Sequence, residues 1–273
     1  RIACAIVAGN RWEGYSSEER TGSRITTSKD GFLLAKEYYF RVLDDAEQYP
    51  LAPSFADWLF PHEYLTSIRP QFSVPDMPPS RALPPEGGLI DALLAQDIIC
   101  RLTDTVEGTK HAHLVLGSEV ARFQQNTMFR YDASPRPEVE PINVPRNALS
   151  LRSDIHIVFD QRRFATVSKP LSSGETGREN FTLAVHVFSP GSSTQFAKFY
   201  HHIAIQPLHG ISLEYIFAGF AWTVSAYSAQ FQVRQPLLRR LSSRSARHNC
   251  DPTFTTHLLS VTPGRTRATT AWC

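Results

Sequence analysis

Cys100-Arg101-Leu102-Thr103-Asp104, then His111-Ala112-His113-Leu114-Val115, then Asn147-Ala148-Leu149-Ser150-Leu151-Arg152-Ser153-Asp154-Ile155-His156-Ile157-Val158-Phe159-Asp160 are the stretches whose reading decides the fold. Alternation over residues 111–115 suits a strand that aims His111 and His113 at one face. Asn147 opens a second strand, Ala148 to Arg152. Ser153 is a good N-cap with Asp154 in the first turn, so residues 154–161 are expected to form a helix placing His156 and Asp160 at i and i+4. Ile155, Val158 and Phe159 would pack that helix on the strands. Upstream, Leu89 to Gln96 reads as a short helix feeding a strand, Ile98-Ile99-Cys100-Arg101-Leu102.

Taken together these stretches resemble the HNH endonuclease superfamily, whose fold is the ββα-metal module. More narrowly they are similar to a subgroup common among fungal proteins, which pairs a C-x-x-T-G opening with A-H-L-V-P and N-x-L-x-L-R-x-D-L-H-x-x-F-D. The resemblance covers about a quarter of the chain. It implies a metal-dependent endonuclease in which His113 is the general base, Asn147 holds the loop and orients that base, and His156 binds the metal. Many members carry an acidic or His ligand immediately before the base, a position held here by Ala112. Asp160, one turn after His156, is the first choice for a second ligand, and His111 is the second choice. Asp104 stands where the subgroup usually has Gly, and Leu116 where it usually has Pro.

Phosphodiester hydrolysis needs a nucleophilic water, a base to deprotonate it, and positive charge for the developing phosphorane and leaving oxygen. A neutral His supplies the base at physiological pH. One divalent ion, Mg²⁺ in the first place with Mn²⁺ or Zn²⁺ as the other choices, would act as a Lewis acid on the scissile phosphate. Arg101, Arg146, Arg152, Arg162, Arg163 and Lys169 crowd the motif, and the five arginines are the expected phosphate contacts. Acidic residues share the region, so affinity for nucleic acid, DNA rather than RNA, is expected to be modest and salt-dependent. About thirty residues separate His113 from Asn147, longer than compact loops usually run. This stretch reads as a binding insertion or a locally mobile segment, with Phe123, Phe129, Arg130 and Tyr131 available to stack on bases and meet phosphates.

Around this centre, 273 residues suffice for one sizeable core or for a central domain with smaller flanking parts. The 28 Lys+Arg against 26 Asp+Glu leave a net charge of +2, so no global field draws the chain to a polyanion and any such site is local. The longest apolar stretches, such as Ile216 to Trp222, fall below the roughly 18 residues that span a bilayer, and a soluble protein without membrane partners is expected. Ile2 to Ala8 form a short apolar run after Arg1 with no initiating Met or basic leader, so the natural start is expected to lie upstream. Cys4, Cys100, Cys250 and Cys273 form no CxxC pair, which fits a reducing, intracellular setting, nuclear or cytoplasmic.

The expected organisation is α+β. It comprises an N-terminal helical region (1–69), a Pro-rich linker (70–88), an HNH-like domain with a C-terminal helix (89–238), and a disordered Ser/Arg/Thr-rich tail (239–273). Phe32, Leu33, Tyr39, Val42, Leu43 and Ala46 lie near helical spacing over residues 29–49, behind Ser28 as a cap. Phe55, Trp58, Leu59, Phe60 and Tyr64 form a second packing cluster interrupted by Pro61. Ile211 to Val224 reads as a buried helix with Ser212 at its N-cap. Cys100 reads as a buried apolar residue. His201 and His202 would point to opposite sides of a strand, a poor joint metal site.

Three function classes follow. The first is the metal-dependent endonuclease. The second is a nuclease-derived binding or scaffold module that has lost turnover, favoured by Ala112 and the modest local charge. The third is a structural domain in which the histidines are incidental. Intact His113, Asn147 and His156 favour the first.

Overall fold

A computed structural model of the chain describes residues 1–19, 22–25, 38–42, 51–52, 54–68, 99–132, 135, 137, 139–170, 181–189, 191, 193–208, 210–242 and 255–256. The architecture is α+β, helices with small antiparallel sheets, as the sequence implies. Two compact units are present: Arg1–Pro50 with Ala246–Cys273, and Leu51–Ser245. The Pro-rich stretch 70–88 and the helix expected over Leu89 to Gln96 lie outside the described residues.

In the first unit, helix α1 (Ile2–Val7) buries Cys4, Ala5, Ile6 and Val7. Strands β1 (Tyr15–Ser17) and β2 (Tyr38–Arg41) pair antiparallel, and β2 pairs in turn with β7 (Thr255–Thr256). β2 corrects the helix expected there. Tyr38 and Phe40 are buried while Tyr39 and Arg41 are half-buried, the period of two that a pleated strand imposes. Its aromatic residues suit that surface, and Phe40 packs with Cys4, Ala5 and Ala8. Tertiary contact has overridden a helical periodicity.

The second unit is built around a hairpin. Strands β3 (Thr109–His113) and β4 (Ala148–Arg152) run antiparallel with His111 opposite Ser150 and His113 opposite Ala148. Helix α4 (Ser153–Asp160) follows β4 directly and packs on both strands through buried Ile155 and Phe159. Ser153 is not its N-cap, as expected, but its first residue. The Ser153 hydroxyl donates to the Gly108 carbonyl at 2.6 Å, and its backbone N–H reaches the same oxygen at 2.9 Å. That pins the helix to the turn preceding β3.

Residues 99–102 are likewise not the strand expected of them. Cys100 N–H donates to Thr105 O (2.8 Å) and Asp104 N–H to Cys100 O (2.9 Å), which closes a tight turn with Cys100 fully buried. Arg101 N–H then bonds to Ser150 O at 3.1 Å, docking the turn beside β4. Asp104 has φ +60°, the left-handed region that glycine enters most easily. This accounts physically for the Gly that the resembling subgroup carries at that position.

The described residues between the strands include regular elements. Helix α3 (Val120–Gln125) and a 3-10 turn at Met128–Tyr131 bury Phe123 and Met128. Helix α6 (Leu213–Ser242) supplies much of what they pack against. Phe123 stacks on Tyr215 at 5.5 Å, and the Tyr215 hydroxyl donates to Met128 O at 3.1 Å. Phe123 is thus core rather than a base-stacking surface, whereas Phe129 is exposed. The expected buried helix over 211–224 is the first part of α6, and Ser212 precedes it with its hydroxyl on the Glu214 carboxylate at 2.5 Å. Trp58 and Phe60 pack against Phe217 of the same helix, and helix α2 (His62–Ile68) begins just after Pro61.

Strands β5 (Phe164–Pro170) and β6 (Phe181–Val187) form a second antiparallel pair, on which α6 also packs. Helix α5 (Thr194–Tyr200) precedes the chain's return along β6, where His202 N–H bonds to Val185 O and Val185 N–H to Ile203 O. Among the described residues, no helix is long and apolar enough to cross a membrane.

Candidate functional site

His113 ends β3 and His156 and Asp160 lie on α4, so the strand–strand–helix arrangement brings the three together. His156 Nε2 is 3.3 Å from Asp160 Oδ2, one helical turn away. Both side chains act electrostatically on His113. Burial pushes the His113 ring below its ordinary value, with the nearby His156 adding to that; the Asn143 side chain, hydrogen-bonded to the ring, and Asp160 work in the opposite direction. An imidazole held neutral at pH 7 is the outcome. His113 Nε2 is enclosed and has no protein partner.

Asn143 is a residue that sequence reading missed. Its Nδ2 donates to Glu140 Oε2 at 3.3 Å, and its side chain favours the charged form of the His113 ring. Nothing in the local sequence distinguishes Asn143 from a turn residue beside Pro145, because its position against His113 depends on how the insertion closes.

Asn147 directs its side-chain hydrogen bonds to residues other than His113. It is fully buried, and its side chain is saturated: Oδ1 accepts from Val115 N–H, while Nδ2 donates to Val115 O and Ile142 O, each at 2.9 Å. Its own carbonyl accepts from Leu114 N–H at 2.8 Å. The residue clamps the two ends of the insertion together, immediately after His113.

The remaining expected residues fall in different settings. His111 shares the His113 face of β3 but approaches β4, with Nδ1 3.3 Å from Ser150 Oγ. Ala112 points the other way and is completely buried. Arg152 is held bidentately by Asp154 at 2.7 and 2.9 Å, and Arg101 is buried. Arg162, at φ +59°, lays its guanidinium 3.9 Å over the Trp222 ring. Arg163 donates to Ser193 Oγ at 3.3 Å. Arg146 adjoins the Asn147 clamp, and its Nε is buried with no protein partner.

The donor set fits a divalent ion: one imidazole and one carboxylate at 3.3 Å on one helix face, with other positions open to water and phosphate oxygens. Gly219 of α6 lies against the backbone beside His113, where a Cβ would come 2.9 Å from Leu114 O. The helix that carries Trp222 is therefore seated directly on the strand end that carries His113.

The family model described as HNH endonuclease matches residues 97–167, which include the turn at Cys100, both strands, the insertion and helix α4. No curated protein and no solved structure matches the chain. Metal dependence and nucleic-acid binding are common properties of that family. The stretch 97–167 thus carries the chain's similarity to the HNH endonuclease family.

Proposed function

We propose that the protein is a divalent-metal-dependent endonuclease acting on nucleic acid, DNA rather than RNA. The observation that carries this reading is the enclosed, unpartnered His113 Nε2 beside the His156–Asp160 pair. A buried polar atom left without a protein partner calls for a non-protein one. His113 accepts the proton of the attacking water at Nε2, while Asn143 holds the opposite nitrogen and so fixes the tautomer. Asn147 is a positioning residue that keeps Leu114 and Val115, and with them the base, in place. His156 and Asp160 hold the ion. When bound, it supplies Lewis-acid stabilisation of the phosphate and of the departing 3′ oxygen. Arg146, with its free Nε, contacts the backbone phosphate next to the scissile one.

A nuclease-derived binding module remains the second reading, favoured by Ala112, which is buried and offers no ligand where many members have one. The two readings are separated by incubating supercoiled plasmid and single-stranded DNA with the purified chain in Mg²⁺, Mn²⁺, Zn²⁺ or EDTA. Metal-dependent nicking abolished in both His113→Ala and His156→Ala supports the endonuclease. DNA binding without cleavage above either variant supports the binding module.

A further inference from the structure

A second group of metal-ligating side chains lies outside the matched residues 97–167. His186 is on β6, and His201 and His202 form the turn that follows α5. One ring nitrogen from each lies within 4.8 Å of the other two. The strand expected at His201–His202, with rings on opposite sides, is not what forms. His202 takes φ +67°, which reverses the chain and stacks the two rings with centroids 3.8 Å apart. His186 approaches both, at 5.0 and 5.8 Å.

We propose that His186, His201 and His202 form a second metal site, separate from the His156–Asp160 pair, that takes a zinc-type divalent transition metal. Among the described residues the group is three imidazoles without a carboxylate or thiolate, which favours Zn²⁺, Co²⁺, Ni²⁺ or Cu²⁺ over Mg²⁺ or Ca²⁺, which demand oxygen ligands. Three protein nitrogens leave a fourth tetrahedral position for water or an exogenous ligand. Small ring rotations suffice to bring nitrogens this close onto one ion, whose bonds to imidazole run about 2.0–2.1 Å.

The surroundings keep the ligands ready. Burial and the Lys169 ammonium lower all three histidines, and neighbouring rings add to this at His186, lowered to about 3, and at His202, lowered to about 4. They are neutral at pH 7, the form that ligates. Two features oppose binding and so supply tests. His201 Nδ1 accepts the Val187 N–H at 3.0 Å, a bond exchanged for the metal when His201 coordinates. Lys169, on β5, repels a cation, although desolvation weakens its own charge. The site ties β6 to the turn after α5, so metal loading stiffens that edge of the unit.

The test is titration of the full chain, first stripped with chelator, with Co²⁺ followed by visible absorption and then with Zn²⁺ in competition. The wild type is expected to show the intense absorption of four-coordinate Co²⁺, displaced by Zn²⁺, and a shifted Val187 amide resonance. His202→Asn, whose new side chain tolerates the left-handed backbone, and His201→Gln should each weaken Co²⁺ binding at least about tenfold. Lys169→Met should tighten it. His156→Gln/Asp160→Asn should leave this spectrum intact. Unchanged Co²⁺ affinity in both His201→Gln and His202→Asn overturns the proposal, as does loss of the spectrum only in the His156→Gln/Asp160→Asn chain.

Discussion

Asn147 hydrogen-bonds both backbone groups of Val115, accepting its N–H and donating to its carbonyl at 2.9 Å each. A side-chain amide has the donor and acceptor that this pair of bonds requires, and its second N–H is spent on Ile142 O. An Asn147→Ala chain leaves three buried backbone groups unpaired, at about 1–3 kcal/mol each before relaxation or entry of water. We expect thermal denaturation to show a loss of about 2–5 kcal/mol. Asn147→Asp should be comparably damaging, because a carboxylate cannot donate to two carbonyls. An alanine variant as stable as wild type would contradict the clamp.

Gly219 carries a separate prediction about the same strand end. A Cβ there would stand 2.9 Å from Leu114 O, and both partners are backbone, so neither can swing aside. Gly219→Ala should cost about 1–3 kcal/mol by overpacking. Since Leu114 follows the base, nuclease activity at a temperature where the variant is fully folded should fall as well. Stability lost with activity per folded molecule unchanged would mean that α6 supports the fold without positioning His113.

These two contacts mark how far the sequence could be read. Both strands of the hairpin and the helix placing His156 and Asp160 one turn apart were legible, because alternation and i, i+4 spacing are local properties. Tyr38–Arg41 was not, since aromatic residues spaced for a helix also satisfy a strand, and packing on α1 decides between them. The His186–His201–His202 group was hidden for a related reason: adjacent histidines diverge in a strand and converge only when the chain reverses at His202. Asn143 and Gly219 owe their roles to the closure of the insertion and the seating of α6, which no local pattern encodes.

Asp104 permits a test in the stabilising direction. Its φ of +60° costs an L residue something that glycine avoids, although Asp is among the residues that bear it best. Asp104→Gly is expected to leave stability unchanged or raise it by up to about 1 kcal/mol, with Asp104→Val lowering it. Chemical denaturation midpoints of the three chains check the order. A glycine variant clearly less stable than wild type would show that the Asp104 side chain, not the turn, is what the position needs.

The His113 environment sets the pH dependence. Because its folded value lies below the ordinary one, the neutral base persists as pH falls past 6.5, and cleavage should decline only as pH drops through the lowered value. Asn143 favours the charged ring, so removing it lowers the value further. Asn143→Ala is therefore expected to move the acid limb of kcat/KM to lower pH while reducing its plateau through loss of orientation. An acid limb that stays in place or moves to higher pH excludes Asn143 as the partner of the base.

Arg146 and Arg152 flank the same strand and look alike in sequence, yet their surroundings differ. Arg152 is bidentate to Asp154, an ion pair that raises the guanidinium and lowers the carboxyl, so its charge is already countered on the surface. Arg146 has an Nε with no protein partner next to the Asn147 clamp. Substituting a phosphate contact removes about one unit from the slope of log K against log salt, whereas substituting a neutralised arginine leaves it nearly unchanged. Arg146→Gln should thus weaken DNA binding and flatten its salt dependence, with Arg152→Gln close to wild type. Fluorescence anisotropy across a salt series measures both slopes. Equal slopes for the two variants would remove Arg146 from the phosphate path, leaving its buried Nε as a packing consequence of the turn at Pro145–Asn147.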